Sequence, residues 1–170
     1  EVKQLVADTH AQVAPLRGAV AFAEVIALAV PYGALDQVIA DGGPLTGKVL
    51  IDCTNAVAPG FTLKYGHTTS SAEELAKKVP GAHVVRSFNA QGAENLENPV
   101  YGGVKATNFF CGDDDGAKAK VRQLIEDVGF EAIDVGPLEK SRLLEPLMML
   151  WISVANQLDS RDIAFKILRR

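Results

Sequence analysis

The chain has 170 residues, enough for one domain with a sizeable core and too few for two. Its apolar fraction of 48% and charged fraction of 22% are ordinary for a globular protein, and its formal net charge of −4 argues against nucleic acid, whose binders carry a basic face. No uninterrupted apolar run approaches the ~20 residues of a membrane-spanning helix. Cys53 and Cys111 make neither a disulfide framework nor a zinc spacing, which fits buried free thiols in a reducing, cytoplasmic compartment.

Residues 1–8 carry the pattern of an amphipathic helix end, with Val2, Leu5 and Val6 on one face. Residues 11–14 are expected as a short strand and 16–23 as a helix. Residues 25–30 (VIALAV) form a continuous apolar run that stops at Pro31, the signature of a strand in the middle of a parallel sheet covered by helices. A helix over 32–40 breaks at Gly42-Gly43-Pro44, and 49–54 (VLIDCT) is a second buried strand. Residues 55–69 show no period; a connection of roughly 15 residues exceeds the usual length and points to a functional loop. Residues 70–79 read as a serine-capped helix, 83–88 (HVVRSF) as a third strand, 89–98 as a loop entering a short helix, and 99–103 as a loop. A strand over 108–112 is followed by Asp113, Asp114 and Asp115, which suit the free N–H groups at the head of a helix over 117–128. Gly129 ends that helix, 130–135 is a strand, and 138 to the C-terminus is expected to be largely helical, with Pro146 early in it. The order implies one domain over 1–170: α/β, doubly wound around a mostly parallel sheet, with a long C-terminal helix.

In such sheets ligands bind where strands end, near a topological switch point. Three strand ends carry small or polar residues that let backbone approach a flat ligand: Val30-Pro31-Tyr32, Thr54-Asn55-Ala56, and Asn89-Ala90-Gln91-Gly92-Ala93. Asn55 and Asn89 each offer a donor and an acceptor to a carboxamide or ribose, although asparagine also favours ordinary turns. His10, His67 and His83 have no metal-ligand spacing, Arg142 and Glu145 are placed for a local ion pair at i, i+3, and Ser70-Ser71 lacks the glycine-flanked turn of an esterase nucleophile.

The blocks FFCGDDDGAKAKVRQLIEDVGF, DVGPLEKSRLLEPLMMLW and IAFKILRR, together with LAVPYGAL, VLIDCTNAV and VVRSFNAQGAEN in this order, resemble the NADPH-dependent reductases of the deazaflavin coenzyme F-420. The reductase domain of the STEAP metalloreductases has the same fold. The resemblance implies a Rossmann domain with NADP(H) across the strand ends and a deazaflavin or flavin acceptor beside the nicotinamide. Carried over by position, it assigns Val30, Pro31, Tyr32, Thr54, Asn55 and Ala56 to the cofactor-facing strand ends. It assigns Asn89, Ala90, Gln91, Gly92 and Ala93 to the loop over the rings, Ile163 to the acceptor pocket, and 57–69 to its wall or lid. The family's opening strand and glycine-rich turn, which hold the pyrophosphate, have no counterpart here, so on this resemblance the chain begins about one βαβ unit late and leaves strand edges unpaired.

The expected activity is therefore hydride transfer between NADP(H) and a small-molecule redox acceptor, with no side-chain acid or base, no metal, no nucleic acid and no membrane. The alternatives are a non-catalytic dinucleotide-binding or scaffold protein, and an NADP-dependent dehydrogenase of a small metabolite, which would need a lysine or histidine beside the nicotinamide. The apolar C-terminal helix is expected to pack on the sheet, and the resemblance implies that it also forms a homodimer interface.

Overall fold

The computed structural model describes residues 2–170, so Glu1 and the side chains of Val2 and Leu5 lie outside the described residues. Helix α1 (Val2–Thr9) leads through an extended stretch at 11–14, which forms no strand, to α2 (Leu16–Phe22). Two parallel strands follow, β1 (Val25–Leu28) and β2 (Val49–Asp52), joined by a single 3-10 turn and α3 (Leu35–Gly42).

The long connection after β2 is a hairpin rather than an irregular loop. Strands β3 (Val57–Ala58) and β4 (Thr62–Leu63) pair antiparallel, joined by the three-residue turn Pro59-Gly60-Phe61. Helix α4 (Ser71–Lys78) begins where the Ser70 hydroxyl accepts from the Glu73 amide, and leads to β5 (His83–Arg86). A second small hairpin, β6 (Val100–Tyr101) and β7 (Val104–Lys105), replaces the loop expected over 99–103. Strand β8 (Thr107–Gly112), helix α5 (Asp115–Val128) and strand β9 (Glu131–Asp134) complete the sheet. Asp114 caps α5 by accepting from the Ala117 amide, and Gly129 closes it at a φ of 112° that a side chain would strain.

The sheet order is β1-β2-β5-β8-β9, parallel except where β8 runs antiparallel to β5. In this chain β1 is an edge strand rather than a mid-sheet one; β2 and β5 pair directly, so the sheet is continuous, with β1 and β9 as its two edges. A continuous apolar run reports helices near both faces, not partners along both edges. Period-2 alternation divides the core. Val49, Ile51 and Val85 face α5 with Val121, Ile125 and Phe130, while Leu28, Leu50 and Val84 face α3 and α4 with Leu35, Leu75 and Val79. Helix α5 covers much of the first of these faces, and on its β1 side Ala27 and Ala29 are exposed.

The last helix, α6 (Ser141–Leu158), passes through Pro146 in its second turn, where one backbone donor is lost without ending the helix. It stops at Leu158, short of the C-terminus. Residues 160–170 instead form an extended strap: the Thr107 amide donates to the Phe165 carbonyl at 2.9 Å and the Ile167 amide to the Thr107 hydroxyl at 3.1 Å. The strap is held by pairing with the start of β8, which no helical period in IAFKILRR could reveal.

Candidate functional site

Strands β1, β2 and β5 end side by side, and a cavity of about 600 Å3 opens at their carboxyl ends. One wall is the strand ends themselves, through Val30, Pro31, Tyr32, Thr54 and Asn55. Opposite lie Gln91, Gly92 and Ala93 of the loop after β5, and the cavity continues over the uncovered sheet face past Ala27, Ala29, Cys53 and Phe88 to Leu124 and Val128 of α5. A second cavity of about 630 Å3 adjoins it, sharing Pro31, Tyr32 and Asn55 and bounded by Val57, Ala58 and Lys64 of the β3–β4 hairpin.

Of the residues expected at the site, eight line the first cavity: Val30, Pro31, Tyr32, Thr54, Asn55, Gln91, Gly92 and Ala93. The other four do not. Ala56 is buried, and its carbonyl accepts from the Lys64 amide at 2.9 Å to anchor the hairpin. Asn89 is buried with its amide donating to the Leu144 carbonyl at 3.0 Å, which ties the loop to α6. Ala90 follows it without lining either cavity. Ile163 lies in the C-terminal strap, where its carbonyl accepts from Asn95 Nδ2 at 2.7 Å and Trp151 Nε1 at 3.0 Å. A Cβ at Gly92 would stand 2.5 Å from Glu94 Oε2 and 3.0 Å from the Trp151 indole, so a side chain there would crowd both.

Beneath the strand ends lies a charged network that the sequence reading did not find. Arg86 at the end of β5 is fully buried, its Nη1 donating to Asp52 Oδ2 at 2.7 Å and its Nη2 to Glu145 Oε2 at 3.3 Å. Ser71 donates to Glu145 Oε1 from both backbone and hydroxyl, at 2.9 and 2.7 Å, and the Thr54 amide and hydroxyl donate to Asp52 Oδ1 at 3.0 and 2.7 Å. Arg86 Nη2 also approaches Asn55 Oδ1 at 3.5 Å, while Asn55 Nδ2 donates to the Asn89 carbonyl at 3.2 Å. Both ends of the Asn55 carboxamide are thereby set. Burial disfavours the guanidinium charge, but Asp52 and Glu145 outweigh it and hold Arg86 above its ordinary range. The expected Arg142–Glu145 pair does not form. Glu145 turns inward to Arg86, and Arg142 reaches across to Glu73 with Nε donating at 2.9 Å and Nη2 at 2.6 Å. The usable signal was a charge inside each of two apolar strands, Asp52 in VLIDCT and Arg86 in HVVRSF.

The first cavity is lined by few titratable groups, and these hold their protons. Burial pushes the Cys53 thiol up to about 12, and burial together with the Tyr65 hydroxyl raises Tyr32 well above its ordinary value. What the cavity offers is flat apolar walls, small residues that admit a ring, the Asn55 carboxamide, and the Gln91 amide nitrogen, which is buried with no partner among the described residues. An orphaned amide beside apolar walls fits a nicotinamide ring and its carboxamide. No glycine-rich turn and no cation lines this cavity, so its residues fit the ring end of a dinucleotide and not the pyrophosphate. Among the described residues no cluster of histidine, cysteine or carboxylate side chains could hold a metal ion, and no helix is long and apolar enough to cross a membrane.

No family model matches the chain. It is 33% identical over 142 residues to the metalloreductase STEAP3 of Rattus norvegicus, covering 82% of this chain and 28% of that protein. It is 29% identical over 154 residues to the F420-dependent NADP reductase of Methanocaldococcus jannaschii, covering 85% of this chain and 67% of that one. A crystal structure assigned as an F420-dependent NADP-reductase from Arthrobacter sp. FB24 superposes with a TM-score of 0.85 at 29% identity, over 92% of this chain and 74% of that one. The chain thus spans under a third of the first relative and about two-thirds of the second.

Proposed function

We propose that this chain, which belongs to the family of the F420-dependent NADP reductases, forms the ring-binding part of an oxidoreductase that moves a hydride between NADP(H) and a deazaflavin or flavin-type acceptor. The observation that carries this reading is the cavity at the ends of β1, β2 and β5. It is flat-walled, has an unpartnered amide at Gln91, and is lined by no side chain able to exchange a proton near neutral pH. NADP(H), when bound, supplies or accepts the hydride. The protein's part would be to orient and to exclude water: Asn55, set by Arg86 and the Asn89 carbonyl, and Gln91 would hold the carboxamide, and Gly92 and Ala93 would leave room for the rings. A dehydrogenase of a small hydroxy acid or imine would use a proton-transferring group here; among the described residues no lysine or histidine lines this cavity. The free thiols of Cys53 and Cys111 suit a cytoplasmic setting, and the outward face of α6 suits a homodimer.

The test titrates the full-length protein with NADPH, then follows NADPH oxidation with deazaflavin and flavin acceptors. Binding and acceptor-dependent oxidation are expected. Ala93→Trp should abolish oxidation while leaving the folded state intact, because the indole fills the space meant for the rings. Absence of NADPH binding to the full-length protein, or full turnover in Ala93→Trp, overturns the reading.

A further inference from the structure

Lys64 follows β4 and its position is set by the backbone. The register Val57↔Leu63 and Ala58↔Thr62 closes the hairpin, and the Lys64 amide donates to the Ala56 carbonyl at 2.9 Å, beside the end of β2. Its ammonium stands 5.0 Å from the ring centroid of Tyr32 and 5.4 Å from that of Tyr65. The two rings meet edge to face at 5.8 Å, and the Tyr32 hydroxyl donates to that of Tyr65 at 3.2 Å, so the platform under the ammonium is itself fixed.

Lys64 lines the second cavity with Pro31, Tyr32 and Asn55, the residues that also border the first. Among the described residues it forms no ion pair, whereas Lys118, Arg142 and Lys166 each face a carboxylate in this chain of 21 acidic and 17 basic residues. A cation held over two aromatic faces at the rim of a cavity, without a counter-ion of its own, is poised for an anion brought by a ligand.

We propose that Lys64 is the specificity-determining residue of the second cavity, recognising an anionic arm, phosphate or carboxylate, on an acceptor whose ring lies beside Tyr32. The proposal rests on the ring-acceptor reading above and adds the charge that such an acceptor must carry.

Riboflavin and FMN share one ring and differ by a phosphate, so they separate ring recognition from charge recognition. The full-length protein is titrated with each by quenching of flavin fluorescence, at low salt and again at high salt. FMN is expected to bind about tenfold more tightly than riboflavin at low salt, as one charge-assisted contact provides. That advantage should shrink as salt rises. Lys64→Met should lower FMN affinity to that of riboflavin, leave riboflavin and NADPH affinities unchanged, and be rescued by Lys64→Arg. Equal affinity of the wild type for both flavins overturns the proposal alone, as does an equal loss of both in Lys64→Met, which would mark a structural role. Intact NADPH binding with neither flavin bound overturns the flavin-type acceptor and this proposal together.

Discussion

Arg86 shows how much a single side chain can organise. It is fully buried between Asp52 and Glu145, and it touches the Asn55 carboxamide that borders both cavities. Arg86→Met would leave two carboxyls buried with no cation, a change that costs about 3–5 kcal/mol of unfolding free energy at neutral pH. Urea unfolding of wild type and variant at neutral pH checks this, and a deficit below about 1 kcal/mol would contradict it. At this scale the sequence was a partial guide. Thr54, Asn55 and Gln91 could be placed at strand ends because apolar runs stop beside them, but the partners of Arg86 come from a strand and a helix 34 and 59 residues away in the chain.

At the scale of elements, local signals held where the element is made of local bonds. Ser70 and Glu73 form a reciprocal cap on α4, with the Ser70 hydroxyl accepting from the Glu73 amide at 3.1 Å, and Glu73 also grips Arg142 of α6. The hydrogen bond from Arg142, more than that from Ser70, keeps the Glu73 carboxyl below its ordinary value, against a smaller opposing effect of burial. A depressed folded-state pKa gives stability that is present above the unfolded value, about 4.3, and is lost as pH falls through the lower folded value. Glu73→Gln should therefore reduce neutral-pH stability and flatten the acid limb of the stability profile, measured by thermal unfolding from pH about 6 to about 3. An acid limb as steep as that of the wild type would contradict it. Other elements were illegible for two reasons: the hairpins have strands of only two residues each, too short to show a period, and the C-terminal strap is defined by bonds to Thr107, distant in the chain.

At the scale of the whole molecule, α6 carries apolar residues on two faces. Leu144, Met148, Trp151 and Ala155 are buried against the rest of the fold, while Leu143, Leu150 and Leu158 point outward at 62%, 52% and 59% exposure. The homodimer proposed above is expected to bury this outward row. Leu150→Glu in the full-length protein should leave the unfolding transition nearly unchanged and halve the mass seen by light scattering, whereas an unchanged mass would place the interface elsewhere. By itself, the sequence determined the α/β class, the main strands and the helix caps, because apolar period, glycine and capping side chains act over a few neighbouring residues. The tertiary structure decided that β8 runs antiparallel to β5. It also joined Asp52, Arg86 and Glu145 under the strand ends and brought Lys64 onto Tyr32. Those outcomes depend on which segments meet across the sheet, and no local pattern encodes a partner that is distant in the chain.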